Sequence, residues 1–289
     1  MNGKKYDTHK NVVKFFAVDI KEVFYFNQKK LIFRRKIMKK FSYKEVAKEQ
    51  GWNFEKISPK VEFLTNYDYY KTVVGAIEHE TTMLDIGCGS GEKSIRFFSN
   101  AKKVIMLDIE QEMLNKVEAN LKRLLTQKEQ EKFETLQGNG DAQLDFADSS
   151  FDLVVSRHCG ANMSEVFRVL KKGGIFISED IDDTDCLELK EYFGRGQNYE
   201  NVKSNFLQKA DIFNKCVTQG FSDIQLKQVD YIEYYPNKEQ LKYLITRTPI
   251  LGYYDDKTDD EILDRYIQDN QTEKGIKLVR RLYAFYIVK

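Results

Sequence analysis

Hydrophobic and polar positions fall into two regular patterns after residue 80. Short apolar runs rich in β-branched and aromatic residues predict strands at 82–86, 103–108, 133–137, 151–156 and 174–179. Amphipathic stretches between them predict helices at 91–99, 110–126 and 161–171. Strands separated by helices indicate βαβ units with right-handed crossovers, so we predict an α/β fold built on a mostly parallel sheet.

The C-terminal third follows a different pattern. A helix is expected at 202–219, ended by Gly220, followed by two long strands at 222–234 and 276–288. No regular βαβ spacer separates these strands, which favours an antiparallel hairpin at the edge of the sheet. The polar, helix-prone residues 235–275 between them are predicted to form a small cap beside the site.

The N-terminal residues 1–37 are basic and aromatic, with ten Lys or Arg and three Asp or Glu. Three interpretations remain open: a packed extension, an arm for a membrane surface or nucleic acid, or residues that precede a natural start at Met38. Because no Pro, Gly or Ser-rich linker divides the rest of the chain, residues 38–289 are expected to form the main domain and to fold alone.

Composition narrows the class of protein. The chain is 42% hydrophobic and 31% charged, which permits a sizeable core. No apolar run reaches the roughly 18 residues that span a bilayer, and no secretory signal is recognisable. Four scattered cysteines without a CxxC pair argue against zinc and disulfides, so we expect no metal and a cytoplasmic location. The acidic body disfavours a nucleic-acid partner without ruling it out.

The stretch MLDIGCGSGEKSIRFF, residues 83–98, carries the clearest chemical signal. Its glycines Gly87, Gly89 and Gly91 permit positive φ and let a ligand approach the backbone. In a parallel α/β sheet such a ligand binds outside the C-terminal ends of the strands. The alternative is a tight strand-to-helix turn. Dinucleotide loops favour G-x-G-x-x-G, whereas the spacing here is G-x-G-x-G.

Two acidic residues accompany this loop. Asp85 precedes the first glycine, and Asp108 ends the next predicted strand, where a carboxylate can accept hydrogen bonds from both hydroxyls of a ribose. The alternative for Asp108 is the N-cap of the helix at 110–126.

These segments, with VIMLDIEQEMLNKVEANL, GDAQLDFADSSFDLVVSRH and EVFRVLKKGGIFIS, resemble the class I S-adenosylmethionine-dependent methyltransferases. The likeness is to the broad, mainly small-molecule branch that includes ubiquinone and menaquinone C-methyltransferases, and it covers roughly residues 65–180. It implies a Rossmann-like, seven-stranded sheet of order 3-2-1-4-5-7-6 with an antiparallel last strand. It also implies S-adenosylmethionine as the cofactor and a small-molecule methyl acceptor.

The resemblance assigns the loop to the cofactor. Asp85 would organise the loop near the amino-acid part of the cofactor. The three glycines Gly87, Gly89 and Gly91 would let that part pass close to the backbone, and Asp108 would hold the ribose.

The same resemblance places the adenine further along the chain. Ile109 and Met113 would border the ring, Asp141 would accept its exocyclic amine, and the Ala142 backbone amide would contact it.

Residues that contact the acceptor are expected after the fourth predicted strand and in neighbouring loops. His158 is the candidate general base, and Arg157 and Arg195 are candidate anion-binding residues. Tyr70 could close over the sulfonium by cation–π contact or pack in the core. Cys159 is also a candidate nucleophile, but we discount this role because no proline precedes the cysteine.

Four functions are compatible with the sequence, of which methyl transfer to a small molecule is favoured. The chain has no Asp/Asn-Pro-Pro-Tyr stretch and no recognisable RNA-binding module, which weighs against an RNA or protein methyltransferase. An NAD(P)-dependent oxidoreductase shares the fold class, and a non-catalytic cofactor-binding protein would keep the same motifs.

Overall fold

The computed structural model describes residue 54 and residues 56–204 and 207–289, so the N-terminal segment 1–37 lies outside the described residues. The strands of the described part belong to one sheet. They are β1 (Lys60–Phe63), β2 (Thr82–Ile86), β3 (Lys103–Asp108), β4 (Phe133–Gln137), β5 (Phe151–Arg157), β6 (Leu170–Ile181), β7 (Ser222–Tyr235), β8 (Gln271–Thr272) and β9 (Gly275–Val288).

The helices of the described part flank this sheet or cap one end of it. They are α1 (Tyr69–Gly75), α2 (Glu92–Phe97), α3 (Gln111–Leu124), α4 (Gln127–Gln130), α5 (Met163–Val169), α6 (Leu187–Phe193), α7 (Tyr199–Lys203), α8 (Gln208–Gln219), α9 (Lys238–Arg247), a 3-10 turn at Pro249–Leu251 and α10 (Asp256–Asn270). None of these helices combines the length and the apolar character needed to cross a bilayer.

The sheet has the order β1-β7-β9-β6-β5-β2-β3-β4, and β8 pairs with β9. Strands β2 to β6 pair in parallel, whereas β9 runs antiparallel to both β6 and β7. Counted in chain order without β1 and β8, the strands follow 3-2-1-4-5-7-6. The predicted Rossmann-like fold and its antiparallel last strand are therefore confirmed. The additions are β1, at the edge beside β7, and the two-residue β8.

Burial explains why the central strands form continuous apolar runs. In β5, for example, Leu153, Val154 and Val155 are all buried, because helices cover both faces of the parallel part of the sheet. Helix α3 contributes Met113, Leu114, Val117 and Leu121 from one face, as its 3.6-residue period requires.

The segment between β7 and β9 is helical, as the predicted cap requires. Its helices α9 and α10 pack with α6 around a separate buried cluster that includes Leu241, Leu263 and Tyr266. This packing fixes the 3-10 turn at Pro249–Leu251 against the C-terminal end of the sheet, where the cavity described below opens.

Two predicted helix boundaries are wrong. The helix expected at 161–171 ends at Val169, because Leu170 is extended and already pairs with Phe151 as the first residue of β6. The helix expected at 202–219 begins at Gln208, whose backbone N–H donates to Asp183 Oδ2 at 2.6 Å.

Candidate active site

A cavity of about 890 Å³ opens at the C-terminal ends of β2, β3 and β5. One part, here called the loop half, is lined by residues 85–94, 107–110 and 138–141. The other, the cap half, is lined by residues of α1, β7 and β9, by the segment after β5 and by the helical cap. The position agrees with the rule that open parallel sheets bind ligands beyond their carboxyl ends.

The three glycines of the loop all have positive φ, between 58° and 74°, but for different reasons. A Cβ on Gly87 would lie 2.5 Å from the Cβ of Cys159, and one on Gly91 would lie 2.9 Å from Val117. A Cβ on Gly89 would meet no atom within 4 Å. Two glycines therefore serve packing of the protein, whereas Gly89 faces open space in the cavity.

Four backbone N–H groups of this loop are already donated within the protein. Those of Gly87 and Cys88 both donate to the carbonyl of Leu107, and that of Gly91 donates to Cys88. The N–H of Gly89 donates to Asp108 Oδ2 at 2.9 Å. The loop is thus held in shape by internal hydrogen bonds, and these donors are not directed at a phosphate.

Asp108 joins the loop to the next strand. Its second oxygen accepts the N–H of Glu110 at 2.9 Å, so both oxygens bind backbone. Burial raises the pKa of Asp108, against the effect of these hydrogen bonds. The N-cap alternative is not what the structure shows, because the residue at the N-cap of α3 is Glu110.

Asp85 lies beneath the same loop and accepts a hydrogen bond from the hydroxyl of Ser94 on α2. Burial raises its pKa to about 6, and the negative charge of Asp108 adds to this effect. An ionised Asp85 is therefore costly in the protein alone, and a nearby cation would stabilise it.

The residues expected around an adenine divide into two groups. Ile109 and Asp141 both line the loop half, and Ile109 exposes 56% of its surface there. Met113 is buried in the core on α3 and does not line the cavity. Ala142 is also outside the lining, and its N–H already donates to the carbonyl of Asn139. The structure thus gives neither Met113 nor Ala142 the contact expected of it.

His158 lies in the cavity wall immediately after β5, with φ of 55°. Its backbone N–H donates to the carbonyl of Glu179, and its Nε2 lies 3.7 Å from Glu179 Oε1. Desolvation, with the positive charges of Arg157 and Arg280, holds the pKa of His158 well below its usual value, although 33% of its side chain is exposed. The imidazole is therefore neutral at pH 7, and the same effects oppose its protonation.

Arg157 and Tyr70 also line the cavity, as predicted, but each already has partners in the protein. Arg157 Nε donates to Glu179 Oε1 at 2.9 Å, and its guanidinium lies 5.5 Å from the Tyr70 ring centroid. The Tyr70 ring stacks on Phe97 at 4.6 Å.

Arg195 is not brought to the cavity. Its guanidinium forms an ion pair with Asp259 on α10 at 2.5 Å and lies 4.0 Å from the Tyr253 ring. It ties α6 to the cap, so the structure places Arg195 outside the cavity lining where the anion-binding role was expected. Cys159 lines the cavity, and burial raises the pKa of its thiol to about 12, which opposes a nucleophilic role.

Sequence reasoning missed a charged cluster in the cap half. Arg280 of β9 donates to both oxygens of Asp185, at 3.0 and 3.3 Å, and to Glu233 of β7 at 3.1 Å. Tyr235 donates to the same Glu233 oxygen at 2.8 Å. The local signal was the alternation of Tyr231, Glu233 and Tyr235, which places polar groups on one face of β7.

Comparison with known proteins places this cavity in context. A family model described as a methyltransferase domain matches residues 77–248. The demethylmenaquinone methyltransferase of Leptospira interrogans is 32% identical over 150 residues, covering 45% of this chain and 59% of that protein. The YqeM protein of Bacillus subtilis is 30% identical over 116 residues, covering 38% and 47%. The chain therefore spans about half the length of the curated relatives it matches.

Solved structures share the fold at low identity. The YcgJ protein of Bacillus subtilis has a TM-score of 0.51 and 20% identity, over 76% of this chain and 97% of that one. A protein of unknown function from Deinococcus radiodurans has a TM-score of 0.53 and 16% identity, over 85% and 97%. These similarities concern the fold alone.

Proposed function

Because the chain belongs to the methyltransferase domain family, we propose that it transfers a methyl group from S-adenosylmethionine to a small-molecule acceptor. The observation that carries the proposal is the loop half of the cavity. There a glycine with open space beside it lies next to buried carboxylates, on a loop whose N–H groups are already used.

The loop half fits this cofactor by charge and by shape. Asp85, Asp108 and Asp141 all line it, and burial raises the pKa of the first two. Carboxylates in such a position favour a ligand that carries an ammonium and a sulfonium. The open position at Gly89 leaves room for a ligand against the backbone. When bound, S-adenosylmethionine supplies an activated methyl group on positively charged sulfur.

Specific residues of the chain would hold the cofactor. Asp108 keeps acceptor capacity for the ribose hydroxyls, because a carboxylate has about four acceptor positions and two are used by backbone. Asp85 would face the amino-acid part near Gly89. Ile109 and Asp141 would contact the adenine by its apolar face and its amine.

The acceptor would occupy the cap half, where the protein supplies alignment and exclusion of water. The 3-10 turn lines this half through Pro249 and Ile250, and Tyr69 and Tyr70 of α1 also line it. His158 would accept the proton that a nucleophilic oxygen or nitrogen must lose, because its imidazole is neutral and its Nε2 lies 3.7 Å from Glu179 Oε1. The positive charges of Arg157 and Arg280 oppose this proton transfer.

An NAD(P)-dependent oxidoreductase is disfavoured by the same loop. A dinucleotide needs backbone N–H groups directed at its pyrophosphate. Here the N–H groups of Gly87, Cys88, Gly89 and Gly91 are donated to protein oxygens, and two acidic side chains lie beside them.

Calorimetric titration with S-adenosylhomocysteine, with NADH as the control, tests the cofactor assignment. We expect micromolar binding of S-adenosylhomocysteine alone. Binding of NADH alone would contradict the proposal. Transfer of a labelled methyl group to an acceptor then separates an enzyme from a non-catalytic binding protein, and transfer only to RNA or protein would favour those acceptors instead.

A further inference from the structure

The charged side chains along the cavity are mostly acidic. Among the described residues that line it, three are cationic and seven are carboxylates. The cations are Lys93, Arg157 and Arg280, and the carboxylates are Asp85, Glu92, Asp108, Glu110, Asp141, Asp185 and Glu233. Arg123, outside the lining, pairs with Glu92 at 3.0 Å, and S-adenosylmethionine carries one net positive charge, so about half of this excess stays uncompensated. A cationic acceptor would reduce the excess, whereas an anionic acceptor would increase it.

The guanidinium groups of the cap half are already paired with buried carboxylates. Arg157 donates to Glu179 at 2.9 Å, and Arg280 binds both oxygens of Asp185. An acceptor carboxylate or phosphate would have to compete with these pairs, which would leave a buried protein carboxylate without its partner. The cap half is therefore poorly suited to an anion.

Glu233 is the carboxylate of the cap half that has no guanidinium of its own. It shares Arg280 with Asp185, at 3.1 Å from Nη1, and it accepts the Tyr235 hydroxyl at 2.8 Å. One guanidinium therefore serves two carboxylates in a cluster where the side chains of Arg280 and Glu233 are 10% and 13% exposed. Arg280, Asp185 and Glu233 together carry one net negative charge and line the cavity, while the buried Lys190 outside the lining interacts with Asp185.

Aromatic and apolar surfaces surround this charge. The rings of Tyr69, Tyr70, Tyr231 and Tyr235 line the cap half, together with apolar atoms of the Pro249–Leu251 turn. Tyrosine faces attract cations, and the rings of Tyr69, Tyr70 and Tyr231 already lie 5.5–5.9 Å from the guanidinium groups of Arg157 or Arg280. Apolar walls accommodate a hydrocarbon body. We propose that the methyl acceptor is an organic amine with an apolar body, held in the cap half by Glu233 and the tyrosine rings. This inference rests on the function proposed above.

Methylation of such an amine needs one proton acceptor, which the cavity wall contains. An ammonium has no lone pair, so the amine must first give one proton to the neutral imidazole of His158, an uphill step because the pKa of His158 is well below its usual value. The nitrogen lone pair then forms the N–C bond, while the electron pair of the broken S–C bond stays with sulfur, which loses its positive charge. The methylated ammonium carries that charge away, and His158 releases its proton to solvent.

Matched pairs of amines and carboxylates with the same body test the acceptor class. The pairs are tryptamine with indolepropionate, phenethylamine with phenylpropanoate and hexylamine with heptanoate, supplied with methyl-labelled S-adenosylmethionine. We expect labelled product from amines and none from their carboxylate partners, with the label on nitrogen by mass spectrometry. Labelling of the carboxylates, or of no amine, would overturn the proposal.

Glu233→Gln isolates the charge, because the amide carbonyl can still accept from Tyr235 and Arg280. We expect the KM for the labelled amine to rise about tenfold or more, with unchanged affinity for S-adenosylhomocysteine. Glu239→Gln makes the same change on an exposed position of α9 and should have no effect. Equal KM values in both variants would overturn the proposal. Failure of the wild-type protein to bind S-adenosylhomocysteine would instead refute the underlying function.

Discussion

Replacement of Asp108 by alanine tests the assignment of the cofactor site most directly. The carboxylate has two functions in the proposed complex, because it holds the N–H groups of Gly89 and Glu110, each at 2.9 Å, and keeps acceptor positions for the ribose. The alanine variant loses both. We therefore expect weaker binding of S-adenosylhomocysteine, the product of the proposed reaction.

The magnitude follows from the kind of hydrogen bond that is lost. A hydrogen bond to a charged group contributes about 1.5–3 kcal/mol, and each 1.4 kcal/mol changes an affinity tenfold. The dissociation constant should therefore rise about 10- to 150-fold in Asp108→Ala. Asp108→Asn keeps the size of the side chain but loses its charge and one acceptor oxygen, so its affinity should lie between those of the wild type and the alanine variant.

Isothermal titration calorimetry at pH 7.5 gives these constants. Glu118→Gln, an exposed position on the outer face of α3, is the control for removal of a negative charge near the site. Thermal unfolding of each variant establishes that the fold is kept. A dissociation constant for Asp108→Ala within twofold of the wild type would refute the ribose assignment.

Four further substitutions test the loop half and His158. The pKa of Asp85 is about 6 in the folded protein against a usual 3.8, so the stability of the protein falls as the pH rises between these values. Asp85→Asn should therefore raise the free energy of unfolding at pH 7.5, measured by urea titration, by up to about 3 kcal/mol. The same substitution should weaken the binding of S-adenosylhomocysteine. A more stable variant with full affinity would contradict this. Gly89→Ala should cost about 1 kcal/mol of stability for its positive φ and block binding, whereas Gly87→Ala should destabilise far more because its Cβ has no room. Denaturation measures the stability of the two glycine variants, and calorimetry measures their binding. Equal losses of stability in Gly89→Ala and Gly87→Ala would contradict the different roles of the two glycines. His158→Asn removes the imidazole and keeps a residue type that tolerates positive φ. This variant should lower kcat about 10²- to 10⁴-fold in a labelled-methyl assay, with unchanged affinity for the cofactor. An unchanged kcat would exclude His158 as the base.

The fold and the loop half could be predicted because their signals are local. The strands at 82–86, 103–108 and 133–137 have the predicted bounds, since buried parallel strands form short continuous apolar runs between helices. The strand order came from the family resemblance, because apolar periodicity gives elements but not their neighbours. Asp108 could be identified because it is the last residue of a strand whose end must lie beside the loop.

The cap half could not be predicted, because its contacts join residues far apart in the chain. Asp185 and Arg280 are 95 positions apart, and they meet only because β9 inserts antiparallel between β6 and β7. Arg195 looked accessible between two glycines, but the cap supplies Asp259 and removes it from the cavity. Met113 follows Asp108 closely in sequence, yet the helical period turns it into the core.

The loop half stores an electrostatic cost that a cationic ligand would relieve. Asp85 and Asp108 are buried near each other, and burial raises the pKa of both. The Gly89 N–H of the loop around them donates to Asp108, whereas those of Gly87, Cys88 and Gly91 donate to backbone carbonyls. An ammonium beside Asp85 would lower the pKa of that carboxyl again. Binding near pH 6 should therefore release up to about half a proton, which calorimetry in buffers of different ionisation enthalpy measures. A heat of binding independent of the buffer at this pH would show that the ligand leaves Asp85 unchanged and that its positive group lies elsewhere.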